Sequence, residues 1–255
     1  ALVDITTGDF WVGEEAGAGQ AFVEVSLLRR PAEILLTQSF LEKDRRAAPV
    51  RESGATLTLR PPLSFQEGTG REALCAHFKV RSLDAFGLGQ MSWGIQAAAA
   101  VLDYLRETQG EALGHLTRIQ PLASGEAMVL DETAVRTLEL LETIQERSVR
   151  GSLSGTLNQT LTPMGARLLR QWLLRPLLDP TEIDRRQAAI QVLVEAPSLR
   201  ASLRRLLGSV GDLERLTSRA AMGTAHARDL VGLRVSLAPL PALKATLATV
   251  GAPLL

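Results

Sequence analysis

Two helices, each opened by its own cap and separated by a proline elbow, constrain this chain more than any other feature. In residues 160–182, Thr162 has an N-cap side chain, and Pro163 fills the first helical position, where a missing N–H costs nothing. Leu168, Leu169, Trp172 and Leu173 then fall on one helical face. Arg175-Pro176 ends the run, because proline disfavours a helical residue before it. Asp179 and Pro180 restart the pattern, and Glu182, three residues after Asp179, has the spacing of a capping box. The expected product is two capped helices meeting at a short elbow. Trp172, set among leucines, is expected in a core, where its loss would cost about 3–5 kcal/mol if fully buried.

The rest of the composition agrees with a mainly helical chain. At 255 residues two domains are the expected count, and 45% hydrophobic residues are enough for two buried cores. Aromatic residues make up only 4%, whereas Leu, Ala and Arg are abundant, which favours helix over sheet. Lys plus Arg and Asp plus Glu both number 28, so no global basic footprint for nucleic acid exists. Most arginines alternate with leucines at helical spacing, the pattern of solvated faces. The single cysteine, Cys75, leaves no partner for an internal disulfide and suits a reducing cytoplasm, on the apolar face of a short helix. No leader and no run of about eighteen apolar residues is present, so no membrane association is expected. The chain opens inside an alternating strand without a leading Met, which reads as an internal segment of a longer protein.

Periodicity divides the chain in two. Residues 2–6 and 10–13 read as a hairpin around Thr7-Gly8-Asp9, and residues 20–30 as a helix ended by Pro31. Residues 33–37 and 56–60 read as short strands, residues 71–78 as a short helix, and residues 91–109 as the longest helix, with Ile95, Ala98, Leu102 and Leu105 inward. Strands alternating with helices indicate an α/β layer. Residues 110–125 read as a linker, with a short strand possible at 128–130. Helices follow at 132–145, 163–175, 180–195, 198–207, 211–222, 227–237 and 242–249. The reading is a multidomain α/β plus all-α chain divided into residues 1–112 and 113–255.

Identities beyond periodicity point to a family. Thr162-Pro-Met-Gly, Arg167-Leu-Leu-Arg-Gln-Trp-Leu, Pro176-Leu-Leu-Asp179 and Asp212-Leu-Glu-Arg215 form a long ordered pattern that packing does not require. The chain resembles the MutS family of DNA mismatch-repair proteins. Asp4-Ile-Thr-Thr-Gly-Asp-Phe10, Arg30-Pro-Ala-Glu-Ile-Leu-Leu36, and Ala85-Phe-Gly-Leu88 with Ala97-Ala98 and Thr108-Gln109 resemble that family's connector domain. Residues 128–139 resemble the start of its core domain. The resemblance implies a ribonuclease-H-like α/β connector followed by a helical-bundle core whose long helices act as levers. It also implies a role in passing ATP and mismatch state between DNA-binding and ATPase domains, and a docking face for MutL. ATP, magnesium and mismatched DNA would belong to other parts of a homodimeric whole protein, while this segment would be monomeric, cytoplasmic and without cofactor. No glycine is followed by Lys and then Ser or Thr, so no P-loop is present and no ATPase activity is expected of the chain by itself.

No residue stands out as catalytic or as a metal ligand. Asp4, on the first strand, resembles the first carboxylate of ribonuclease-H-like nucleases, but Asp9 and Glu33 fall at no spacing that argues convergence on two metals. A turn-capping Asp4 is the simpler reading. His77, His115 and His226 form no paired-ligand spacing, and no Gly-x-Ser-x-Gly elbow occurs. Trp11 and Trp93 suit packing, with partner anchoring as the other use, and Arg147 to Gly151 is a basic loop. Arg71, Glu72 and His77, on a short helix of mixed polarity, are the expected partner-binding set. Thr162, Pro163, Trp172, Asp179 and Pro180 are the expected structural set. The rival readings are a ribonuclease-H-like metal-dependent nuclease and an unrelated helical interaction module.

Overall fold

A computed structural model of the chain describes residues 1–14, 31–44, 47–110, 113–122, 127, 128, 130, 132–248 and 250. The helix expected over 20–30 lies outside these residues. The chain divides into two compact units, Ala1–Ser124 and Gly125–Leu255.

In the first unit, β1 (Leu2–Asp4) and β2 (Asp9–Val12) pair antiparallel about Gly8, whose φ of 80° is the left-handed conformation the turn requires. The Gly8 N–H donates to the Asp4 carbonyl at 2.9 Å. A third strand, β5 (Ile119–Pro121), adds parallel to β2, with Phe10 opposite Ile119. The other two strands, β3 (Glu33–Leu36) and β4 (Thr56–Leu59), pair parallel as a separate two-stranded sheet. The described residues therefore give a mixed α/β unit with two small sheets.

Over these sheets lie the helices Glu67–Phe78 and Trp93–Gln109. Ile95, Ala98, Leu102 and Leu105 of the longer helix are all buried, at the 3-4-3 spacing of one helical stripe. They pack with Phe10, Val12, Leu74, Leu83, Leu88, Leu116 and Ile119, and Cys75 lies at the edge of this core. Phe78 meets Phe10 and Phe86 with ring centroids 6.3 and 5.5 Å apart. The long helix is capped from far away in sequence: Glu14 Oε2 accepts from the N–H groups of Ser92 (2.7 Å) and Gly94 (3.0 Å). A carboxylate there also opposes the positive end of the helix dipole. A Cβ on Gly94 would meet Val12 Cγ1 at 2.8 Å, so this close approach needs glycine. Trp93, beside it, is 72% exposed, and a packing role does not fit; Trp11 is half-buried.

The boundary expected at residue 112 moves. Leu113, Leu116 and Ile119 are buried in the first core, and β5 completes its sheet, so the first unit runs to Ser124. Residues 113–122, expected to be part of a linker, are thus an arm packed into the first unit.

The second unit is helical among its described residues. Its elements are Glu132–Thr137, Leu153–Leu157, Pro163–Leu174, Pro180–Glu195, Pro197–Leu207, Leu213–Ala221, Ala227–Leu237 and Leu240–Leu247. The helix expected to reach residue 145 stops at Thr137, because Glu139 and Arg147 adopt φ of 47° and 49° and reverse the chain. Buried Ser152 holds this reversal: its Oγ donates toward Leu141 O (3.1 Å) and Val149 O (2.7 Å) and accepts from Gly155 N–H (3.1 Å). The Arg147 to Gly151 loop is thus one side of a serine-locked turn. In place of a strand at 128–130, a single bridge joins Ala127 to Leu177, and Met128 N–H donates to Pro176 O at 2.7 Å.

Leu203, Val210 and Leu243, with Met164, Leu193 and Leu206, form a core smaller than the first. Outside this core, Leu168, Ile190, Val194, Leu230 and Val231 are each about half exposed. By length and composition alone, residues 227–247 could cross a bilayer. Arg228, Asp229, Arg234 and Lys244 lie along that stretch, and Asp229 pairs with Arg219 at 2.8 Å, as in a bundle helix.

Candidate functional site

The sequence patterns that carried the family resemblance turn out to build caps and locks. Thr162 Oγ1 accepts from Gly165 N–H (3.1 Å) with Pro163 at the first helical position; Asp179 Oδ1 accepts from Thr181 N–H (2.9 Å) with Pro180 next. Both elbow caps are as expected. Glu182 is not: it does not close the capping box and instead pairs with Arg185 at 2.6 Å. Asp212 caps the helix Leu213–Ala221, accepting from Arg215 N–H at 3.3 Å.

These two signature segments meet at Arg167. Its guanidinium donates to both oxygens of Asp212, at 2.7 and 2.8 Å, and its Nε to Glu214 Oε2 at 3.1 Å. A planar fork grips one carboxylate bidentately and touches a second, an arrangement lysine cannot reproduce. The hydrogen bond from Arg167 holds the Asp212 carboxyl below its ordinary range, and bonding to Asp212 raises the Arg167 guanidinium. Helical spacing could not reveal this lock, because it joins residues 45 apart.

Trp172 lies on the same helix, 38% exposed rather than in the core, with the Arg186 guanidinium stacked 4.0 Å from its ring centroid. The indole is partly exposed and a charged partner covers one face, so the full-burial figure does not apply. Trp172→Ala is expected to cost about 1–2 kcal/mol in urea unfolding. A loss above about 4 kcal/mol would place the indole in a dry core.

The partner-binding set fares differently. Glu72 is exposed, but Arg71 is half-buried and donates to Met91 O at 3.0 Å. His77 is half-buried too, hydrogen-bonded to Leu116 O at 3.0 Å and edge-on to Phe78. Burial, followed by the positive charges of Arg106 and His115, holds His77 below the ordinary imidazole value despite that bond. Of the three side chains, Glu72 alone is fully exposed.

Asp4 acts as a turn cap, accepting from Thr6 N–H (2.8 Å) and Thr6 Oγ1 (2.7 Å), while Asp9 accepts from Thr7 Oγ1 (2.7 Å). Glu33 accepts from Tyr104 Oη at 2.5 Å on another part of the unit. The three acids do not converge, and among the described residues no group of three or more His, Cys, Asp or Glu could hold a metal ion. Sequence reading missed a second lock: Arg60, almost buried, bridges Asp103 (3.1 Å) and Glu107 (2.6 Å) and fastens the two-stranded sheet to the long helix.

Fold and contacts together define an α/β unit followed by a helical one, in which the distinctive residues serve as caps and guanidinium locks. MutS domain II matches residues 1–117 and MutS domain III residues 133–254. Among curated relatives, the DNA mismatch repair protein MutS of Synechococcus elongatus is 40% identical, over all of this chain and 30% of the relative. Those of Thermosynechococcus vestitus and Symbiobacterium thermophilum are 38% and 37% identical, over 100% and 99% of this chain and 30% and 29% of theirs. The chain belongs to the MutS family of DNA mismatch-repair proteins and carries its domains II and III. It spans about 30% of the length of the relatives it matches.

Proposed function

We propose that the two units are the connector and part of the lever core of a mismatch-repair ATPase, coupling the ATP state of one end to DNA binding at the other. The observation that carries this reading is the ordered match of domains II and III onto two separately cored units. Separate cores suit relative motion of domains, and the Arg167 lock suits a lever that moves as one body. A ribonuclease-H-like fold of the first unit belongs to the same reading. So do ATP, magnesium and mismatched DNA bound elsewhere in a homodimeric whole protein, a cytoplasmic location, and a chain that by itself is monomeric and hydrolyses no ATP. The dispersed acids Asp4, Asp9 and Glu33 give the nuclease alternative no support.

The first unit is also proposed to dock MutL around Arg71, Glu72 and His77. Glu72 presents charge, while Arg71 and His77 shape the helix it stands on. Glu72→Lys is expected to slow association with purified bacterial MutL several-fold and change its salt dependence, leaving thermal stability unaltered. Surface plasmon resonance of the 255-residue chain against MutL reads this directly. Capture of MutL by residues 125–255 as efficient as by the whole chain would assign docking to the other unit.

A further inference from the structure

The first residue of the long helix Trp93–Gln109 has a backbone held on both sides and a side chain that stands in solvent. Glu14 Oε2 fixes the flanking N–H groups, those of Ser92 and Gly94. Gly94 lies too close to Val12 and Gly13 to admit a Cβ, and Ile95 is fully buried. The Trp93 indole is nevertheless 72% exposed, and among the described residues no guanidinium covers it as Arg186 covers Trp172. Leu63, on the single turn Pro62–Phe65 that packs along the same helix, is exposed to the same degree. The indole also borders the residues proposed to dock MutL. Arg71 donates to Met91 O at 3.0 Å, two residues before Trp93, and Glu72 follows Arg71 on a helix that packs against Trp93–Gln109.

On the reading that MutL docks on this unit, we propose that Trp93, supported by Leu63, is the apolar anchor of the docking face, its indole entering an apolar pocket of MutL while Glu72 stays at the rim.

Exposure and charge divide the work of docking between these residues. Glu72, an exposed rim charge, acts on the rate of encounter, whereas an indole buried on binding acts on how long the complex lasts. Apolar area left in water is free energy that a partner recovers by covering it. The held backbone at Ser92 and Gly94 adds to this, because an anchor already fixed in place has little freedom left to lose. A large aromatic side chain on a rigid support, with charge at its edge, is the usual composition of an interface hot spot.

Surface plasmon resonance of the 255-residue chain and its variants against purified bacterial MutL separates the two rates. Trp93→Ala is expected to dissociate at least about tenfold faster, with association within about twofold of the unaltered chain. Glu72→Lys is expected to show the reverse, slower association with little change in dissociation. Leu63→Ala is expected to dissociate several-fold faster, and Trp93→Phe, which keeps an aromatic ring, to fall between the unaltered chain and Trp93→Ala. Because the indole is exposed, Trp93→Ala is expected to melt at the unaltered temperature. Dissociation of Trp93→Ala at the unaltered rate would overturn the anchor while leaving docking on this unit in place, whereas no binding by the unaltered chain would overturn both. A melting temperature lowered by more than about 4 °C would make Trp93 part of the fold. Altered self-association of Trp93→Ala in sedimentation velocity, with MutL binding unchanged, would assign the indole to a contact between copies of the chain. Either result refutes the anchor.

Discussion

A chain cut back to residues 1–112 is expected not to fold, whereas residues 1–124 are expected to fold cooperatively. The shorter piece contains the whole of the longest helix, the hairpin and the two-stranded sheet. It loses Leu113, Leu116 and Ile119, exposed by only 4%, 2% and 1%, together with β5 and both histidine contacts to the arm. Each buried aliphatic side chain contributes about 1.5–3 kcal/mol, so the three together account for roughly 5–9 kcal/mol. That is comparable with the entire stability of an ordinary domain, about 5–15 kcal/mol. The loss also uncovers the β2 edge, leaving backbone donors and acceptors beside Phe10 and Val12 without their partners. Urea titration followed by circular dichroism and tryptophan fluorescence reads the difference. Cooperative unfolding of residues 1–112 with a midpoint close to that of 1–124 would show that the arm is dispensable.

Arg167→Ala is expected to be the most damaging single charge removal in the second unit. The side chains of Arg167 and Asp212 are 31% and 17% exposed, which places the pair between the surface and buried extremes. Exposed pairs contribute about 0–1 kcal/mol, whereas removing one partner of a buried pair costs about 3–5 kcal/mol. About 2 kcal/mol is therefore expected, or a melting-temperature drop of roughly 6–10 °C in the isolated second unit. The sign with pH follows from Asp212, whose carboxyl is held low chiefly by the Arg167 hydrogen bond. The lock's contribution is present above the ordinary carboxylate value and is lost as pH falls through the lower, folded one. The unaltered chain and Arg167→Ala should thus differ most near neutrality and converge in strong acid. Arg167→Lys should recover only a part, because an ammonium cannot grip both Asp212 oxygens. A melting curve for Arg167→Ala superimposable on that of the unaltered chain would show that the lock is ornamental.

What the sequence made legible was local. Thr162-Pro163 and Asp179-Pro180 announce helix starts because capping chemistry acts within three residues, and both caps form. The stripe Ile95, Ala98, Leu102 and Leu105 is legible for the same reason: its period is a property of one helix. Three misreadings have a common cause in tertiary context. Residues 113–121 carry linker composition, yet their partners lie in β2 and Glu67–Phe78, 109 residues away for Phe10 and Ile119 and 39 for His77 and Leu116. Glu139 and Arg147 adopt left-handed backbone that no glycine announces, held by Ser152. Trp172 looks apolar by its neighbours in sequence, whereas in the structure a guanidinium covers it. Arg167 lies within the signature run Arg167–Leu173, but its role appears only when Asp212 and Glu214 are brought to it.

The proposed coupling role is tested most directly in a chimaera: residues 1–255 of this chain replacing the matched segment of the Synechococcus elongatus relative. The measurement is ATP-triggered release of the chimaera from mismatched DNA, alongside mismatched-DNA binding and ATP hydrolysis by the same protein. All three are expected to be retained, with release within about tenfold of the parent's rate, a barrier difference near 1.4 kcal/mol. A folded chimaera that binds mismatched DNA and hydrolyses ATP, yet shows no change in DNA binding when ATP is added, would contradict the coupling role of these two units.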